Sequence, residues 1–145
     1  MTARRLSGFV LLAILLFMLN NKDGGILPIP GNDLVPGAGK RVLVVYESSE
    51  LSKYPQSQIS ILQGERVAKY LDGVVDKDED GNPLYRIWDK DVDLTYVDDF
   101  WKAAMELSED KELPHQVILN GKKSIQGPLP DTVDQGLELF KKHLE

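Results

Sequence analysis

The chain has 145 residues, no cysteine and a formal net charge of −6. That length admits one domain of ordinary size plus an N-terminal extension, and apolar and charged shares of 42% and 28% are those of a globular chain rather than a disordered one. Without cysteine there are no disulfides, thiolate metal sites or thiol chemistry, and the acidic balance repels phosphate backbones, which argues against a nucleic-acid partner.

From residue 40 onward, 14 Lys and Arg stand against 21 Asp and Glu, a charge of −7. Residues 72–99 alone hold ten acids against Lys77, Arg86 and Lys90, again −7. One segment therefore carries the whole imbalance.

Arg4 and Arg5 precede an uncharged run of fourteen residues, Leu6 to Leu19. A basic start and an apolar run fit an uncleaved signal anchor and a cleavable signal peptide alike. As a helix the run is about 21 Å long, short of a ~30 Å hydrocarbon core. Extension over residues 2–21, with the two arginines snorkelling, closes that gap. No small-x-small cleavage site stands at Asn20-Asn-Lys-Asp23, which favours the anchor over cleavage; a soluble buried helix is the third reading. An anchor makes a single-pass protein whose C-terminal domain lies on the non-cytoplasmic side, because the arginines stay inside. Cleavage makes a secreted one. Residues 20–39 hold five glycines and three prolines, a composition that neither helix nor ladder tolerates. They are expected to form a linker that holds residues 40–145 off a membrane.

Residues 41–47 form a continuous apolar run, as in a strand covered on both faces. Residues 48–54 read as a loop. Over 58–71, Ile61, Gly64, Val67, Ala68 and Leu71 fall at helical spacing, with Gly64 suited to close approach of helix and sheet and Gly73 to the stop. A polar turn over 76–82 leads to an alternating strand over 84–89. Thr95 is the expected cap of the next helix, with Asp98 approximating a capping box and Val97, Phe100, Trp101, Ala104 and Leu107 forming its apolar face. Trp88 and Trp101 then belong to packing rather than to a binding platform.

Residues 112–127 read as a proline-started strand, an Asn120-Gly121 turn and a returning strand, since both central residues of a type I′ turn need positive φ. Pro114 at the strand start costs no ladder bond and is a place for a cis peptide. Asp131 is the expected cap of a last helix presenting Val133, Leu137, Phe140 and Leu144.

The order strand, helix, strand, helix, strand, turn, strand, helix resembles the thioredoxin-like core over residues 40–145. The residues that carry it are the Val42 to Tyr46 strand, Leu113-Pro114 opening a strand, Asn120-Gly121-Lys122 at the turn, and the closing helix from Asp131 to Leu144. The resemblance implies an α/β fold, a central mixed sheet flanked by helices. In that family the proline is cis and faces the redox site, and the backbone of the residue before it pairs with an extended peptide. Pro114 and Leu113 match those positions. Where the family places C-x-x-C, this chain has Ser48-Ser-Glu-Leu-Ser-Lys-Tyr-Pro55, whose hydroxyls are poor nucleophiles unless activated. No catalytic residue is assigned.

The expected function is therefore a membrane-tethered, redox-inactive peptide- or protein-binding or structural module. Its site would comprise Ser48, Ser49, Ser52, Tyr54, Leu113, Pro114 and His115. One alternative is a glutathione-dependent enzyme working through a Ser or Tyr hydroxyl of the same loop; loop and cap roles are the plainer account of those residues. A second alternative is a structural module stabilised by a weak Ca²⁺ site, the one cofactor the sequence suggests. Asp76, Asp78, Asp80 and Asn82, with Gly81, match the start of a D-x-D-x-D-G loop. The twelfth position is Ile87 rather than a bidentate Glu, so closure would require Asp89, Asp91 and Asp93 to fold back. A solvated acidic turn is the simpler reading.

Overall fold

The computed structural model describes residues 39–121 and 123–145, together with the backbone pairing of Leu27–Pro28. The N-terminal apolar run lies outside the described residues, as does the linker apart from Leu27–Pro28 and Gly39. Among the described residues no helix is long and apolar enough to cross a membrane.

The elements in chain order are β1 (Leu27–Pro28), β2 (Lys40–Tyr46), a 3-10 helix (Ser48–Lys53), α1 (Gln56–Gln63), α2 (Glu65–Val74), β3 (Tyr85–Asp89), α3 (Asp99–Glu106), β4 (His115–Asn120), β5 (Lys123–Pro128) and α4 (Val133–Leu144). They build a mixed α/β layer structure. The sheet order is β1-β5-β4-β2-β3: β2 runs parallel to β3 and antiparallel to β4, and β4 and β5 form a hairpin. The β1 pair adds two residues to the outer edge of β5. The linker is thus not free throughout, since an edge position tolerates a proline.

The apolar run in β2 explains the layering. Alternate side chains of a strand point to opposite faces, so Val42 and Val44 pack with Ile61, Val67, Leu71 and Phe140 of α1, α2 and α4. Leu43 and Val45 pack on the other face with Phe100, Trp101 and Ala104 of α3. On that second face Phe100 meets Trp101 edge-on at 4.7 Å, and Trp88 lies 5.8 Å from Trp101. The two tryptophans are packing residues, as expected.

Four local expectations are corrected. The helix expected over 58–71 is two helices, because Gly64 is extended at φ −85 and ψ 148. The apolar positions on either side keep the same spacing, so the break is invisible to periodicity. Gly64 serves that break rather than a contact with the sheet: a Cβ there would lie 2.2 Å from the Ser60 carbonyl oxygen. Gly64→Ala is expected to cost about 1–3 kcal/mol through the forced backbone shift, read from urea denaturation.

Gly73 lies inside α2, which ends at Val74. The third correction concerns caps. The caps are Asp98 and Thr132 rather than Thr95 and Asp131, and the Thr132 hydroxyl accepts from the Gln135 N–H. Thr95 instead bonds Asp93. Finally, the hairpin turn falls one residue later than Asn-Gly suggests. Asn120 is still paired with Lys123, its amide donating to the His143 carbonyl at 2.8 Å, and Gly121 takes the positive φ of 63°.

Candidate functional site

Two clefts meet where the chain enters β4. The Leu113–Pro114 peptide between them is cis. On the α1 and α4 side, Tyr54, Gln58, Pro114 and Leu129 line a cleft of ≈ 270 Å³ that also reaches Glu112 and Leu113. On the α3 side a larger cleft of ≈ 580 Å³ runs from Val45 and Glu47 past Met105 to Glu112 and Leu113.

Local bonds fix this junction. The Tyr54 hydroxyl accepts the Glu47 N–H at 3.1 Å, closing the loop between β2 and α1. The buried Gln58 amide donates to the Leu129 carbonyl at 3.0 Å, tying the first turn of α1 to the exit of β5. The Leu129 N–H in turn donates to the Pro114 carbonyl at 2.9 Å. Pro114 is therefore held on its carbonyl side, while neither the N–H nor the C=O of Leu113 has a hydrogen-bond partner among the described residues. The Leu113 side chain packs toward the α3 face.

Of the seven residues expected to form a peptide site, the fold brings Tyr54, Leu113 and Pro114 together. Ser48, Ser49 and Ser52 do not join them: they are exposed on the 3-10 helix and line neither cleft. The Ser48 N–H donates to Asp89 Oδ2 at 2.7 Å, and the Ser49 hydroxyl donates to Glu47 Oε1 at 2.8 Å. Bonds from Ser48 and from the Asp91 N–H hold the Asp89 carboxyl below its usual value.

His115 does not line the groove either. It is 5% exposed, shares the parity of Val117 and Leu119 on the α3 face, and places Nε2 at 3.2 Å from Gln126 Oε1. Burial pushes its pKa below the ordinary 6.5, against the opposing bond to Gln126. Burial acts in the same direction on His143. A depressed histidine pKa means that the unfolded chain binds more protons just below about pH 6.5, so stability falls as pH drops through that window. The melting temperature is expected to decline between about pH 7 and about pH 5. His115→Gln should flatten that slope, leaving the part due to His143.

The four residues of the expected calcium loop do not converge. Asp76 Oδ2 accepts the Lys40 N–H at 3.0 Å, away from the turn. Asp78 Oδ1 accepts the N–H groups of Asp80 and Asn82 at 3.0 and 2.8 Å, and these bonds, Asn82 first, lower its pKa. Asp89 and Asp93 close their own short turns onto Asp91 and Thr95. Asp78, Asp89 and Asp93 thus spend their carboxylates on backbone N–H groups two to four residues on, as Asx turns do. Among the described residues no group of three His, Asp or Glu side chains is placed to hold a metal ion.

Sequence reasoning missed Gln58 and Leu129 in the small cleft, and Glu47, Lys90 and residues 109–112 around the large one. The cluster Glu109-Asp110-Lys111-Glu112 is visible as a charge run, but only the parallel β2–β3 pair and α3 bring it opposite Glu47. No protein-family model, no curated protein and no solved structure matches the chain.

Proposed function

We propose that residues 40–145 are a thioredoxin-like domain without redox chemistry that binds an extended peptide at Leu113–Pro114. The observation that carries this reading is the unpartnered backbone of Leu113 between two clefts. An extended chain laid beside it finds one N–H and one C=O to pair with, and a cleft on either side for its alternating side chains. Supporting it are the mixed sheet with its parallel β2–β3 pair and β4–β5 hairpin, and the proline standing where the resembling family places one. Cysteine is absent, so the groove holds rather than reduces its ligand.

The glutathione reading gains no comparable support. The Tyr54 hydroxyl is already engaged by the Glu47 N–H, and the three serines lie outside both clefts. The N-terminal segment is read as a membrane anchor and the linker as its tether, with the domain on the non-cytoplasmic side. Membrane fractionation with mass measurement of the mature chain tests this. An unshortened chain in the membrane fraction supports the anchor; a soluble chain shortened at its N-terminus overturns it.

Peptide binding is tested by selecting a displayed random-peptide library on the full chain. Selected peptides should bind Leu113→Ala and Pro114→Ala variants at least about tenfold more weakly, a loss of about 1.4 kcal/mol. Peptides that bind both variants as well as the parent chain would place the binding surface elsewhere.

A further inference from the structure

The larger cleft has two chemistries. Its floor is covered and mainly apolar: Val45 is 2% exposed and Met105 8%, with Leu113 and the buried Ser108, whose hydroxyl donates to the Ala104 carbonyl, beside them. Its rim carries five carboxylates, Glu47, Glu50, Glu109, Asp110 and Glu112, against the ammonium groups of Lys90 and Lys111. Lys90 is engaged by Glu47 at 3.1 Å, and Glu50 by Lys53 at 2.6 Å. Glu109, Asp110 and Glu112 form no ion pair among the described residues. The rim segment is a hydrogen-bonded turn, with Ser108 N–H donating to Met105 O at 2.9 Å and Lys111 N–H to Ser108 O at 3.3 Å.

An apolar floor under an acidic rim suits one kind of side chain. Lysine and arginine lay an aliphatic stem on apolar surface and keep the charged head at its edge. An acidic side chain would meet unpaired carboxylates, and a purely apolar one would leave them unanswered. Resting on the peptide reading above, we infer that the bound peptide is basic. Paired with Leu113 as a strand, it sends successive side chains to opposite sides. One side chain enters the small cleft of Tyr54, Pro114 and Leu129. The next, a lysine or arginine, crosses Met105 toward Glu109, Asp110 and Glu112. The recognised pattern is therefore an alternation of apolar and basic residues.

The test uses the full chain in a mild non-ionic detergent and three capped heptapeptides in which valine alternates with lysine, glutamine or glutamate. The lysine peptide should bind at least about tenfold tighter than the other two at low salt and lose most of that preference at about 0.5 M salt. The variant Glu109→Gln/Asp110→Asn/Glu112→Gln should reduce the preference to about twofold or less. Asparagine accepts the positive φ of 58° at position 110, so the turn is kept. A control variant removes three carboxylates outside the cleft, Glu65→Gln/Glu79→Gln/Glu138→Gln, and should retain the preference. Equal binding of the three peptides overturns the basic-residue inference and leaves the peptide groove standing. An equal loss in cleft and control variants also overturns it, since general charge would then suffice. Failure of all three peptides to bind at about 1 mM overturns both readings.

Discussion

Phe140→Ala is expected to lower stability by about 3–5 kcal/mol, measured by urea or thermal denaturation. Phe140 is fully buried at 0% exposure, on the face where α4 meets Val42, Val44, Ile61 and Leu71. Removing the ring discards its transfer energy and leaves a hole between a sheet and three helices, where close packing limits relaxation. Set against a usual total of about 5–15 kcal/mol, the loss is a large share of the stability of a domain of this size.

Trp101→Ala should cost a comparable ~3–5 kcal/mol by a separate route. Trp101 is 3% exposed and lies on the opposite face, against Phe100 and Trp88, with the Arg86 guanidinium 5.1 Å from its ring centre. The loss therefore combines burial, aromatic packing and a cation–π contact. Because the two residues belong to different clusters on opposite sides of the sheet, their effects should add within ~0.5 kcal/mol in a suitably stabilised background. Strong coupling would mean that the faces share one core, contrary to the layering described.

The parts of this fold legible in the sequence were those where one physical pattern acts alone. The four consecutive apolar residues of β2 can be satisfied only by covering both faces, and α3 and α4 show their buried stripes at helical spacing. Boundaries were less legible because two effects compete there. At Gly64 the side-chain spacing continues while the backbone breaks. At Asn120 the turn preference of Asn-Gly yields to the bond from the Asn120 amide to the His143 carbonyl. At Thr95, an Asx turn onto Asp93 takes the hydroxyl that a capping box would use.

The candidate site was partly legible for the same reason. Leu113 and Pro114 stand out because a proline at a strand start has a restricted set of uses, and Tyr54 lies in the loop that faces them. His115 leaves the groove because strand parity with Val117 and Leu119 sends it to the α3 face. The position of the serines after β2 does not reveal their direction, which depends on a 3-10 helix that no periodicity announces. The expected calcium residues matched a spacing, but spacing alone does not prevent backbone amides from claiming Asp76 and Asp78 first. The acidic rim needed tertiary structure, since Glu47 and Glu109 become neighbours only once α3 packs on β2.

The most direct test of the account is hydrogen exchange at the Leu113 amide in the full chain, with and without a selected peptide at saturation. Pairing with the ligand backbone predicts that exchange at this amide slows by about tenfold or more, with smaller changes along β3. Saturating peptide with an unchanged Leu113 amide would contradict it, because the ligand would then be held by something other than this strand entrance.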